Sequence, residues 1–384
     1  MNDPLFTETE KMLQAAVREF AERELVPKAK QADEREEFSW DIWHGMASLG
    51  LTGIGIDPSF GGSGGGYREM AIVVEEVARG DASASVSLVA HLSLGTHTIY
   101  KFSNDEQKRR LVPALARGDA VAAWALTEPG SGSDAAALQT TAELHGQTYL
   151  LNGNKTFITN GDLAQHIVVF ATSDKSLKHK GIGAFLLEKG SPGFQSNRQQ
   201  GKMGMRGSTT ADLILRDAEI RAADMLGERN SGFNYAMDIL DSSRIIIAAQ
   251  CVGIAQAAFE AAATYANQRQ SFGKVISEHQ AIQFMLAEMA TDIHASRTMT
   301  RHAAILKDNN LPFINEASMA KLFASEAAQR VTSNALQIFG GYGYFKDLPV
   351  ERYFRDARVT TIYEGTSEVQ RLLIARHIKD VFAS

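Results

Sequence analysis

The chain has 384 residues, 44% of them hydrophobic and 22% charged, with a net charge of −6. That length and apolar content describe a globular protein of two or three domains, and the acidic balance argues against nucleic acid as the main partner, since phosphate binding needs a basic face. The single cysteine, Cys251, leaves no internal disulfide framework, and the ten histidines show no ligand spacing, so no metal is expected.

The N-terminal stretch MNDPLFTETEKML lacks the basic and apolar regions of a secretory signal, and no run of 18 apolar residues predicts a membrane span. A reducing cytoplasm is the expected setting, with Cys251 a small buried residue in an Ala-rich helical run. From Thr7 to about Gly118 the pattern is helical, beginning with an apolar stripe of Met12, Ala16, Val17 and Phe20. The break DPSFGGSGGG, Asp57 to Gly66, precedes a helical run from Tyr67 to Arg79, and SNDEQKRRLVPAL predicts a helix start at Ser103. Gly61 to Gly65 fits G-x-S-x-G, but a hydrolase elbow needs a strand running into the serine. Pro58 and glycines stand there instead, which predicts a loop.

From Val121 to Leu226 the texture is β. QTYLLNGNKTFITNG contains two β-type runs joined by Asn152-Gly153, a hairpin signal, and HIVVFATS, IGAFLLEKG and ADLILRDAEI are further strands. Short strands without a long helix predict a small antiparallel sandwich or barrel. Three long helical runs follow, Phe233 to Gln268, His279 to Lys307 and Ile314 to Phe339, and predict a bundle. The fold class is α+β in three domains: a helical domain over 1–120, a β domain over 121–228 and a helical bundle over 229–384.

Four stretches could carry chemistry. WALTEPGSGSDAA, Trp124 to Ala136, fits G-x-G-x-x-A at Gly130, but neither a crossover helix nor an acidic strand end follows, so a nicotinamide-binding unit is not expected. Its glycines and hydroxyls suit either a cofactor loop or a polar β–β connection. FITN, Phe157 to Asn160, could face a planar ring or be an ordinary strand. QIFGGYGY, Gln337 to Tyr344, places Gly340-Gly341 as a helix C-cap open to a second chain or a phosphate. In IYEGTSEVQR, Glu364 stands between Tyr363 and Gly365, just ahead of an expected capping box from Ser367 to Gln370. It is either a base tuned by desolvation or an acid favoured by the helix dipole.

Together these pieces resemble the flavin-dependent acyl-CoA dehydrogenases over essentially the whole chain, nearest the short-chain, butyryl-type subgroup. LTEPGSGSD resembles that family's flavin loop and FITNG its strand against the isoalloxazine. NQRQSFGKVISEHQAIQ is similar to its inter-subunit cofactor segment, QIFGGYGY to its adenine-side turn, and IYEGTSEVQRLLIAR to the stretch holding the base. The resemblance implies a C-terminal four-helix bundle and FAD as cofactor. It implies dehydrogenation of a short or branched acyl-CoA, with Glu364 taking the α-proton and flavin N5 the β-hydride. It also implies electron-transferring flavoprotein as acceptor and a homotetramer.

By the same resemblance Trp124, Leu126, Thr127, Gly132 and Ser133 would contact flavin, with Ser133 also on the CoA side, and Phe157, Ile158 and Thr159 would lie against the ring. Arg269, Phe272, Gln280, Gln337, Gly340 and Gly341 would hold the pyrophosphate and adenosine half across a subunit interface. Thr366 and Glu368 would complete the site, while Asp241, Arg244 and Gly365 would meet the substrate. Phe157 departs from the family's usual Trp and loses an N–H donor. Ser243, in LDSSR, stands where isovaleryl-type relatives carry the base, and serine cannot serve. Oxidase-like and non-catalytic relatives are the alternatives.

Overall fold

The computed structural model describes residues 6–383. The N-terminal unit opens with α1 (Glu8–Phe20), α2 (Val26–Arg35) and α3 (Trp40–Ser48) and continues with α4 (Tyr67–Gly80), α5 (Ala82–Val89), α6 (His97–Phe102) and α7 (Asp105–Ala116). Thr7 caps α1 in a capping box with Glu10. The inward face of α1 differs from the expected stripe: Val17 and Phe20 are buried, but Met12 is 72% exposed and Ala16 is also outside. Glu10 takes the inward place, because Arg68 donates to its carboxylate at 2.9 Å and offsets its burial. The start of α7 also moves by one residue. Asn104, not Ser103, is the cap, in a reciprocal box with Gln107. The glycine break forms a loop in which the Ser63 hydroxyl donates to the Gly50 carbonyl at 2.7 Å.

Eight strands make one hydrogen-bonded sheet: β1 (Ala122–Ala125), β2 (Thr141–His145), β3 (Thr148–Thr159), β4 (His166–Thr172), β5 (Ile182–Glu188), β6 (Phe194–Gln199), β7 (Thr210–Arg221) and β8 (Met225–Leu226). The path runs β6-β7-β3-β2-β4-β5-β8, with β1 branching from β4. Most pairs are antiparallel, as expected, but β1 and β2 both run parallel to β4. The predicted Asn-Gly hairpin does not form. Asn152-Gly153 lies inside β3, and the reversal is at Gly146-Gln147, where His145 pairs with Thr148. Gly153 instead marks a register shift against β7, and a Cβ there would stand 2.4 Å from Thr140 Oγ1.

The C-terminal unit comprises α8 (Gly232–Gln268), α9 (Gln280–Asp308), α10 (Ile314–Phe339), α11 (Val350–Arg358) and α12 (Ser367–Phe382). A short hairpin of β9 (Gln270–Ser271) and β10 (Lys274–Val275) links α8 to α9. By length and composition α8 could cross a membrane, but 78% of its most apolar window is buried inside the protein. It is the central helix, packed on α10, α4 and α9. Gly253 lets α4 approach closely, since a Cβ would lie 2.2 Å from the Glu75 carbonyl oxygen. Cys251 is buried on α8 as expected, and burial pushes its thiol up to about 11.

Candidate active site

Between α11 and α12 the chain makes a turn in which Glu364 (φ +48°) and Gly365 (φ +92°) are both left-handed. For a glutamate that conformation costs on the order of 1–3 kcal/mol and must be imposed by its surroundings. The imposing contacts converge on the Gly365 carbonyl, which accepts from Lys321 Nζ at 2.7 Å and from Gln370 Nε2 at 3.1 Å. The φ of +92° is one that side chains rarely adopt, and a Cβ on residue 365 would also press on Gln370 Nε2 at 2.4 Å, so the turn favours glycine. The predicted capping box is therefore displaced. Thr366 is the N-cap, accepting from the Val369 amide at 3.3 Å, and Gln370 is used to tie the turn.

Glu364 Oε2 is fully enclosed and has no hydrogen-bond partner. Burial pushes the carboxyl up to about 7, opposed by the Ser243 hydroxyl, Lys321 and Arg244. The single Ser243 proton has two acceptors in reach, the Leu240 carbonyl at 3.2 Å and this carboxylate. Arg244 and Asp241, expected at the substrate, pair with each other at 2.6 Å; Arg244 is buried, and its Nε is enclosed without a partner. Glu364, Gly365, Ser243 and Arg244 thus meet where α8, α10 and the start of α12 converge. Thr366 and the exposed Glu368 follow in the first turn of α12.

A second cluster lies on the sheet. Trp124, at the end of β1, packs edge-on against Phe170, and its indole N–H is enclosed without a partner. Leu126 is buried and Thr127 half-buried, while Gly132 and Ser133 are exposed. A Cβ on Gly130 or Gly132 would meet nothing within 4 Å, so this loop presents bare backbone. Phe157 has φ +59° and is 69% exposed, at the second register shift of β3 against β7. That shift fixes which side chains face out. Phe157 points outward and Thr159 is half-buried, but the Ile158 side chain enters the core, leaving only its backbone for a ring to meet.

The third group is on the surface. Arg269, Phe272, Gln280, Gln337, Gly340 and Gly341 are all exposed. Arg269 lies over the Tyr342 ring at 5.4 Å, and Phe272 is 95% exposed with φ +51°. Gly340 (φ +59°) caps α10 as expected, and neither it nor Gly341 has an atom near a built Cβ. An unpaired indole donor, an outward phenyl ring and two patches of bare glycine backbone suit a planar, phosphorylated cofactor. Among the described residues no group of His, Cys, Asp and Glu could hold a metal.

Sequence models of the acyl-CoA dehydrogenase N-terminal, middle and C-terminal domains match residues 7–119, 123–218 and 230–379. The chain belongs to the acyl-CoA dehydrogenase family. That family consists of flavoprotein oxidoreductases. Human "Short-chain specific acyl-CoA dehydrogenase, mitochondrial" is 47% identical, over 97% of this chain and 90% of that protein. "Acryloyl-CoA reductase (NADH)" of Anaerotignum propionicum is 46% identical, over 97% and 95%. Butyryl-CoA dehydrogenase from Megasphaera elsdenii superposes with a TM-score of 0.95 at 40% identity, covering 98% and 100% of the two chains. A chain of the structure described as "Electron transferring flavoprotein of Acidaminococcus fermentans: Towards a mechanism of flavin-based electron bifurcation" gives 0.96 at 44% identity, covering 98% and 99%.

In this member of the acyl-CoA dehydrogenase family, two features of the site escaped the sequence reading. One is the buried ion pair of Glu128 with Lys155, at 2.8 Å, beneath the glycine loop. Its members are 27 residues apart, Glu128 in the LTEPGSGSD stretch and Lys155 just before FITN, and nothing in either stretch reports that they pair. The other is Lys321. Here a signal existed: Ala317, Lys321, Ala324 and Ala328 share the inward face of α10, so a lysine occupies a helical stripe of small residues.

Proposed function

We propose that this chain is an FAD-dependent dehydrogenase of short or branched acyl-CoA thioesters, with Glu364 as the base that removes the α-proton. The observation that carries this reading is the enclosed Glu364 carboxylate, held on a left-handed turn and lifted toward neutral pH. A general base is most effective with a pKa near the working pH, and near 7 this carboxylate is ionised often enough to act and basic enough to accept a weakly acidic proton. The buried Arg244, already paired with Asp241, adds fixed positive potential near the enolate charge. Ser133, exposed at the loop tip, faces outward for the CoA chain. FAD would be held by Trp124 to Ser133, by Phe157 and Thr159 and by the open turn Gly340-Gly341, and it supplies the acceptor for the hydride leaving the β-carbon. Glu364 ends as a carboxylic acid, and the product is the trans-2-enoyl thioester.

The reading is tested by mixing the flavin-loaded protein anaerobically with butyryl-CoA and following flavin bleaching and enoyl product. Folded protein that takes up no FAD when it is supplied overturns the reading. We further propose electron-transferring flavoprotein as the acceptor, supported by the Acidaminococcus fermentans match. The acryloyl-CoA reductase relative, as similar as the dehydrogenases, favours a second reading in which enoyl thioester is reduced. NADH consumption with crotonyl-CoA separates the two directions.

Chain-length preference follows from the short-chain relatives. The value of kcat/KM is expected to peak at about four to six acyl carbons and to fall roughly 10–200-fold for each methylene a closed pocket must reject. Higher values for long-chain thioesters refute it.

We infer a homotetramer in which a neighbouring chain completes the adenosine side of the cofactor site. Large exposed apolar residues support it: Phe272, Phe284 on α9, and Leu372 and Phe382 on α12. Arg269→Ala removes a cation placed at that face, and flavin affinity is expected to fall at least about tenfold, the size of one lost charge-assisted hydrogen bond. Flavin retention on gel filtration and light scattering measure it. A monomer with full flavin occupancy contradicts the assembly.

A further inference from the structure

Lys321 is fully buried, yet an isolated ammonium is expensive to remove from water. Its hydrogen bond goes to the Gly365 carbonyl, the residue after Glu364. That carbonyl already receives Gln370, so a neutral donor suffices to anchor the turn, and the lysine's charge calls for a separate reason. We propose that Lys321 is a positioning residue for Glu364: its amine fixes the left-handed turn that aims the carboxylate, and its positive charge favours the ionised carboxylate. The inference rests on the reading of Glu364 as the base.

The surroundings support a charge acting on this one group. From α8, Glu364 faces Ser243 and Arg244, and Arg244 is already paired with Asp241. From α10 it faces Lys321. Tyr363, next to it, is half-buried and bonded to Gln250; its phenol also senses Cys251 and Asp356. Lys321 itself feels Cys251, Glu364, Arg244 and the exposed Glu368. Of these, Cys251 is neutral at working pH, because burial pushes its thiol up to about 11. Burial pushes the Lys321 amine down to about 8, so it is charged where Glu364 must ionise. Each lies in the other's field, and removing the ammonium raises the carboxyl further.

The sign of the test follows. Glu364 works only when ionised, so flavin reduction falls as pH drops through its pKa. Lys321→Gln keeps a donor for the Gly365 carbonyl and removes the charge. Its acid limb is expected to move up by about one pH unit, so its rate falls about tenfold more than wild type at pH below the limb. Lys321→Met shows the same move and also loses rate on the alkaline plateau. Lys321→Arg stays charged at every pH and keeps the wild-type limb, which tests the idea even where the neutral variants fail to fold. Neutral variants with normal flavin content and an unmoved limb overturn the proposal, as does an Arg variant whose limb moves up. Glu364→Gln, run beside them, separates the two claims: if it still reduces flavin at the wild-type rate, Glu364 is not the base, whatever the lysine variants do.

Discussion

Glu364→Gln is expected to fold, to bind FAD and a CoA ligand, and to leave the flavin oxidised when substrate is added. The amide keeps the side-chain volume and removes the proposed base. The rate of flavin reduction should fall by at least the roughly 10²–10⁴-fold attributed to general-base catalysis. The wild-type rate should decline as pH falls through about 7, where the carboxyl titrates, and the residual Gln rate should show no such limb. The same shift makes a stability prediction. The folded pKa lies above the ordinary value of 4.5, so between 4.5 and about 7 the folded chain holds more protons than the unfolded one. Stability contributed by the protonated carboxyl is therefore fully present below 4.5 and lost as pH rises through about 7. At about 1.4 kcal/mol per unit, the penalty at pH 8 is at most about 3.5 kcal/mol. Glu364→Gln should accordingly raise the melting temperature at pH 8 while destroying activity, the trade-off expected where an active site is held in an unfavourable state. A second arm moves the base. Ser243 on α8 stands beside the carboxylate, so Ser243→Glu added to Glu364→Gly should restore part of the rate from the helix side. The glycine also relieves the left-handed strain at position 364. Wild-type flavin reduction in Glu364→Gln reduces Glu364 to an acid at a helix entry.

The helical parts of this fold were legible because their signals are local. The run expected from Phe233 to Gln268 is observed as Gly232–Gln268, and that expected from Ile314 to Phe339 has those bounds. Cap positions slipped by one residue at Asn104 and Thr366, where two adjacent polar residues compete and the tertiary contact decides. At the second of these, Gln370 could have closed a box from Ser367, but the Gly365 carbonyl claims it. Asn152-Gly153 misled for a related reason. The dipeptide suits a tight turn, yet Asn152 instead exchanges hydrogen bonds with Asp217 on the neighbouring strand, at 2.8 and 2.9 Å. Glycine there answers the close approach of Thr140. The site was legible where one short segment carries it, as at Glu364 with its glycine and cap. It was not legible where burial joins distant residues, as at Lys321 and Gln250 behind that turn, because no periodicity reports a partner from another helix.

The buried pair beneath the glycine loop carries the other large effect. Lys155 lies wholly inside β3 and donates to Glu128 Oε1 at 2.8 Å and to the Leu126 carbonyl at 3.1 Å. Glu128 also accepts from the Gln139 amide at 2.6 Å and the Thr140 amide at 3.0 Å. Burial would raise the Glu128 carboxyl, but Lys155 and these donors hold it below the ordinary range. The loop's entry is thus tied to β3 and its exit to the start of β2, with Thr127 fixed further by the Thr156 amide at 3.0 Å. Lys155→Met leaves a carboxylate buried without its cation, which is expected to cost about 3–5 kcal/mol and to release the loop. Melting temperature and FAD content should fall together. Adding Glu128→Leu removes the stranded charge, and because replacing both members of a buried pair by apolar groups is often close to neutral, most of the stability should return. Flavin affinity should not return, since the Gln139 and Thr140 amides lose their acceptor and the loop its anchor. The four proteins form a double-mutant cycle. A strongly favourable coupling energy, with FAD lost in all three variants, identifies the pair as the loop's clamp. Additive losses, or normal FAD content in the double variant, show that the glycine loop holds its shape without it.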